Sequence, residues 1–225
     1  MANPVLPPLP TYTCRRATSP ITIDGALDEA AWEQAEQMQL VETVTGDEPR
    51  YPTVVRALWD DTYLYVGFEA EDPYIWGTLK ERDKPLWDEE VVEVFLDDDS
   101  DEWSFLEFEV SPNNVIVDLA VFRRGGKSHE LFCWDCPDLQ TAVQVDGKVN
   151  SFDGTDTAWT TEIAIPFDQC MTAPHIPPRN GDRWRANFYR IDRAHDADEY
   201  SAWSPTGEIQ FHMPNRFGYV VFSET

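Results

Sequence analysis

Apolar and polar positions alternate with a period of two along most of this chain. The stretches 53–59, 64–70, 91–96, 103–110, 115–122, 140–145, 159–165, 184–191 and 217–222 each read as a strand, and most are bounded by Asp, Asn, Gly or Pro. Asp60-Asp61 makes a tight turn between the first two, which predicts a hairpin with Leu64, Val66, Phe68 and Ala70 facing inward. Ile21-Thr22-Ile23 adds a short strand ahead of a turn at Asp24-Gly25. One segment breaks the rhythm. In 27–37, Leu27, Ala31 and Ala35 fall on one stripe with Trp32 beside them, which predicts a brief helix. Residues 1–20 are rich in proline and read as an extension, extended along the domain or disordered. About ten strands joined by short turns predict an all-β fold, an antiparallel β-sandwich of jelly-roll-like form with one short N-terminal helix. No repeat or second hydrophobic block follows a linker, so 21–225 reads as one domain.

Candidate chemistry lies on two neighbouring strands. In 91–96 one face is Val92, Val94 and Leu96, and the other is Val91, Glu93 and Phe95. In 103–110 one face is Leu106, Phe108 and Val110, and the other is Trp103, Phe105, Glu107 and Glu109. Pairing through the 97–101 loop puts the carboxylates on one shared face beside Phe105, with Trp87 and Trp103 at its edges. Aromatic plates stack on the C–H faces of a sugar ring, and carboxylates accept from its hydroxyls. The same pattern also suits half-solvated strands whose glutamates face water. Arg185, Asn187 and Tyr189 alternate on one face of 184–191. They could read hydroxyls beside the glutamates, or equally neutralise Glu93, Glu107 and Glu109 in a buried network. Asp118, inside an otherwise apolar strand, needs a partner.

Composition narrows the partners. The 42 acidic residues outnumber 17 basic ones for a formal charge of −25, so no basic footprint exists for nucleic acid or an anionic membrane. A neutral polyol, a cation or a basic partner all remain open. Clusters of hard oxygen ligands on turns suit Ca²⁺, and the candidates are Asp60 and Asp61 with Asp72, and Asp97, Asp98 and Asp99 with Asp101. No stretch approaches the length of a transmembrane helix, and the N-terminus lacks the basic and apolar regions of a signal peptide. Cys133 and Cys136 form a single CxxC with no second pair for zinc. Pairing among Cys14, Cys133, Cys136 and Cys170 stays open.

Several stretches in order resemble the family 9 carbohydrate-binding modules and their DOMON-like relatives. They are Ile21-Thr22-Ile23-Asp24-Gly25 running on to Trp32, then Ala57-Leu58-Trp59-Asp60-Asp61 with Leu64-Tyr65-Val66, then Trp87-Asp88 leading into Val92 through Asp97. Trp159, Glu162-Ile163-Ala164-Ile165-Pro166 and Pro214-Asn215-Arg216-Phe217-Gly218 follow. The resemblance implies a β-sandwich that binds a mono- or oligosaccharide end between two tryptophans, with polar contacts, structural calcium and an extracellular or periplasmic setting. It implies Trp87 as the first stacking residue and Glu93 as a sugar contact. Glu107 and Glu109 stand where the family often has Arg-x-Asn, a departure that bears on the sugar preferred. The second aromatic is Trp203, or Phe211 with His212. No hydrolase signature is present, so non-catalytic binding is the reading. The alternatives are a structural or protein-interaction domain of the same fold, or a hydrolase using paired glutamates.

Overall fold

The computed structural model describes residues 6–151, 155–193 and 197–225. The strands are β1 (Thr11–Arg16), β2 (Met38–Gln39), β3 (Val41–Glu42), β4 (Thr53–Trp59), β5 (Tyr63–Glu71), β6 (Val91–Asp97) and β7 (Ser104–Val110). They continue as β8 (Ile116–Arg124), β9 (Lys127–Leu131), β10 (Gln140–Asp146), β11 (Ala158–Pro166), β12 (Arg183–Asp192), β13 (Glu199–Ala202) and β14 (Gly218–Ser223). All nine long alternating stretches therefore form strands.

Eleven strands join into one curled, sandwich-like sheet in the order β10-β11-β5-β4-β1-β14-β12-β6-β7-β8-β9, with β2 added at β4 and β13, carrying β3, at β12. Curling lets the two halves pack face to face. Val55, Ala57, Val66, Phe68 and Ile163 from one half meet Val92, Val94, Phe108, Trp184 and Phe188 from the other in the main core. The predicted inward rows of β5, β6 and β7 all point here.

Four expectations change. The sheet is mixed, because β1 runs parallel to both β14 and β4. That strand lies in the stretch read as an extension. Tyr12 and Cys14 are buried, and the Tyr12 hydroxyl donates to the Ala57 carbonyl at 2.8 Å. Six residues flanked by prolines alternate too briefly to announce a core strand.

The predicted helix is absent. Only a single 3-10 turn forms, at Trp32–Gln34, and Leu27 takes a positive φ of 55°. Docking outcompetes the helix, whose nucleation is costly in so short a segment. Trp32 is buried with Ala31, Leu58, Tyr65 and Ala164, and its Nε1–H donates to Glu162 Oε1 at 3.0 Å. Ile21-Thr22-Ile23 likewise forms no strand, and its isoleucines pack against the same small cluster. Backbone N–H groups of Asp24 and Gly25 donate to Glu162 Oε2 at 2.9 and 2.8 Å, so one buried carboxylate pins the whole segment. Gly25 has φ +86°, and a Cβ there would meet the Val143 carbonyl carbon at 2.9 Å.

Candidate functional site

Strands β6, β7, β8 and β12 are covered on both faces. One face enters the main core. The other gathers Val91, Phe95, Phe105, Leu119, Tyr189 and Phe217 into a second apolar cluster, with Trp87, Tyr200 and Phe211 packed against it. Strand register places carboxylates inside this cluster. Glu93 lies opposite Glu109 on β7 and opposite Tyr189 on β12. Glu107 lies opposite Phe95 and Leu119. The three glutamates are 2%, 5% and 1% exposed (Glu93, Glu107 and Glu109), so they are not the solvent-facing row of a half-wet strand. They line a cavity of about 490 Å³.

Aromatic side chains make the walls. Trp87, half-buried in the 3-10 turn Leu86–Asp88, has its ring 6.2 Å from that of Phe132 at 46°. Phe211 stacks on Tyr189 at 4.1 Å and 9°, and Tyr200 meets Phe211 edge-on. His212 lies against Phe95 and Phe105, with centroids 5.6 and 5.5 Å away. Its Nε2 is 2.8 Å from Glu107 Oε2 and its Nδ1 is 3.3 Å from Glu130 Oε1. Just past the end of β12, Arg193 donates from Nη2 to the Trp87 carbonyl at 2.6 Å and from Nη1 to the Tyr200 hydroxyl at 2.5 Å. It also pairs with Asp198. The guanidinium thereby ties the Trp87 turn to the segment that carries Phe211.

The charges of this site are strained by burial. Glu93 is held well above the ordinary carboxylate range by desolvation and then by the charge of Glu107, with Arg193 opposing. Glu109 is raised in the same way by desolvation and by Glu93 and Glu107. Burial alone would lower His212, yet its bond to Glu107 and the charges of Glu107 and Glu130 leave it raised. Glu109 Oε2 is buried without a hydrogen-bond partner.

Of the residues expected from sequence, Trp87, Glu93, Glu107, Glu109, Phe211 and His212 meet at this cavity. Four do not line it. Tyr189 is fully buried behind Phe211, and its hydroxyl donates to the Phe211 carbonyl. Asn187 exchanges bonds with the Ser204 backbone, and Arg185 pairs with Glu102. These two sit further along β12, opposite Phe95 and Asp97, away from the glutamates. Trp203 belongs to the main core against Phe188, whereas Phe211 and His212, the alternative to it, line the cavity. Trp103 is 63% exposed outside the cavity. Arg193, Glu130, Phe132 and Tyr200 line it without having been expected. Extending the Arg185-Asn187-Tyr189 alternation two steps reaches Arg193. Glu130 and Phe132 come from β9 and its end, whose polar sequence hid the strand.

The acidic turns divide. Asp60 accepts from the Thr62 and Tyr63 N–H groups and from the Tyr65 hydroxyl, and Asp61 pairs with Arg16. Asp72 pairs with Arg190. These acids already have partners and form no shared ligand set. Asp98 is buried and turned to Thr172 and Ala173. Asp97, Asp99 and Asp101 do bring one carboxylate oxygen each within 4.8 Å of one another, a set that fits one side of a calcium site. Asp118 finds its partners in Arg82 and the Cys136 N–H, and one of its oxygens also lies within 4.8 Å of carboxylate oxygens of Asp83 and Asp135. All four cysteines are free thiols.

Comparison with known proteins fits this geometry. Residues 23–225 match the family described as carbohydrate family 9 binding domain-like. An extracellular protein of Arthroderma benhamiae is 27% identical over 188 residues, covering 80% of this chain and 82% of that one. A Bacteroides uniformis protein assigned to carbohydrate binding superposes with a TM-score of 0.76 at 13% identity, over 95% of this chain and 99% of its own. A family 9 carbohydrate-binding module of Caldicellulosiruptor kristjanssonii, solved with cellotriose, gives 0.66 at 17% identity, over 96% of this chain and 95% of its own. At such identities the two structures speak for the fold.

Proposed function

This chain belongs to the carbohydrate family 9 binding domain-like family, and we propose that it binds a sugar ring, free or at a glycan end, non-covalently in the Trp87–Phe211 cavity. The observation that carries this reading is the meeting of aromatic walls with buried carboxylates in one open space. Trp87, Phe132 and Phe211 offer apolar plates to the C–H faces of a ring, while Glu93, Glu107 and Glu109 accept from polar groups on its edge. The cellotriose complex of the structural relative supports a sugar in this role. The rigidity of the floor, set by register within a covered sheet, limits the ordering cost of binding. His212 and Arg193 orient Glu107 and the Trp87 turn. A structural calcium ion, implied by the family, would be held by Asp97, Asp99 and Asp101, outside the cavity. The fungal relative is named as extracellular, which favours an exported setting.

Calorimetric titration with glucose, xylose and cello-oligosaccharides tests the reading on wild type and Trp87→Ala. We expect saturable binding to wild type and a loss of at least about tenfold in Trp87→Ala, with its unfolding midpoint little changed. Absence of heat with every sugar, for demonstrably folded protein, would overturn it. Release of reducing sugar during the titrations would instead mark the close carboxylates as hydrolytic.

A further inference from the structure

We propose that the floor of this cavity receives a protonated amine, so that the preferred ligand is an amino sugar with a free amino group rather than its neutral counterpart. The proposal rests on sugar binding at this site and deepens it by naming the sugar class.

The first ground is a count of donors and acceptors. Glu93, Glu107 and Glu109 form the floor, and Glu130 lies beside them across His212. The donors closest to the glutamates are largely engaged. Both His212 nitrogens face Glu107 and Glu130, the Tyr189 hydroxyl donates to the Phe211 carbonyl, and the Arg193 Nη groups serve Trp87, Asp198 and Tyr200. The buried Arg193 Nε–H is unspent, and the Gln210 amide and the Trp87 indole N–H lie further out along the lining. Against these stand Glu109 Oε2, buried and unpartnered, and the carboxylate of Glu93, buried beside it. A sugar hydroxyl is donor and acceptor at once, so it would leave its own lone pairs facing carboxylates. An ammonium has three donors and no acceptor. It complements the floor once the carboxyls are ionised, when every oxygen there is an acceptor.

Spacing allows it. One oxygen from each of the three glutamates lies within 4.8 Å of the others, so a single small cation can reach all three. Charge agrees as well. Four carboxylates face the site against one guanidinium and one imidazole, and burial makes the surplus costly without a cation. The raised protonation of Glu93 and Glu109 is how the empty floor tolerates that surplus, so a cation entering it should expel protons. Aromatic walls at Trp87 and Phe211 suit both a stacked ring and a positive charge.

Calorimetry with glucose, glucosamine and N-acetylglucosamine decides, run in two buffers of different ionisation heat, with a CaCl₂ titration in parallel. The expected result is glucosamine binding at least about tenfold tighter than glucose, with N-acetylglucosamine no tighter than glucose. Proton release should accompany glucosamine alone. Glu109→Gln should weaken glucosamine binding by a larger factor than glucose binding, so that the ratio between the two shrinks. Equal or weaker binding of glucosamine, with glucose still bound, overturns the proposal and leaves sugar binding intact. If no sugar binds, both fall. Calcium binding that Glu109→Gln abolishes would also overturn it, making the floor a metal site.

Discussion

Glu93 and Glu109 stand as direct cross-strand partners on β6 and β7, both shut away from solvent. Like charges in that position repel, and burial adds to the penalty. Both carboxyls are therefore raised above their ordinary value of 4.5. Above that pH the folded protein holds protons that the unfolded chain has released, so stability falls as pH rises towards the folded values. Glu90, pushed up to about 10 by burial and by Asp72 and Asp192, acts with the same sign. His212, raised above 6.5, stabilises the fold below that value and loses its contribution as pH climbs through its folded pKa. Thermal unfolding without ligand should thus show a higher midpoint near pH 5 than near pH 8. Glu109→Gln should flatten that slope, and curves parallel to wild type would refute the assignment.

The buried Glu162 carboxylate holds the 24–32 segment through Trp32, Asp24 and Gly25. Glu162→Ala strands three donors, and urea denaturation should register a loss on the order of 3 kcal/mol. A loss below about 1 kcal/mol would show that the apolar contacts of Trp32 hold the segment alone.

Arg190 is fully buried between Asp72 at 2.9 Å and Asp192 at 3.0 Å. Arg190→Met leaves two buried acids without their counter-charge and should cost about 3–5 kcal/mol at neutral pH. Burial already raises Asp192 to about 6 and Arg190 opposes that rise, so without the guanidinium Asp192 takes up a proton more readily and the deficit should shrink near pH 5. A deficit independent of pH would mean that lost packing, and not charge, dominates.

Two tryptophans should separate cleanly. Trp203 packs in the core against Phe188, so closely over Gly218 that a Cβ there would meet its ring at 2.4 Å. Trp203→Ala should cost about 3–5 kcal/mol and leave the sugar affinity of the folded fraction unchanged, whereas Trp87→Ala should do the reverse. Weakened sugar binding in folded Trp203→Ala would place that ring in the site after all. Gly218→Ala should destabilise without touching affinity.

The alternation of side chains by itself determined the strands and the faces they turn inward. Period two is local, and it survives any arrangement of the sheet. It also put Glu93, Glu107 and Glu109 on one face, because the hairpin that pairs β6 with β7 is a neighbour in sequence. What the alternation could not express is how that face is covered. Its burial depends on Phe211 and His212 arriving more than a hundred residues later, and on Arg193 clamping the Trp87 turn. Likewise β1 became a core strand only because β14 and β4 came to lie on either side of it. The 27–37 stretch lost its helix to a carboxylate on β11. Local pattern sets which groups a strand offers. Long-range packing decides whether those groups meet water, a counter-charge or a cavity, since desolvation depends on whatever the rest of the chain places above them.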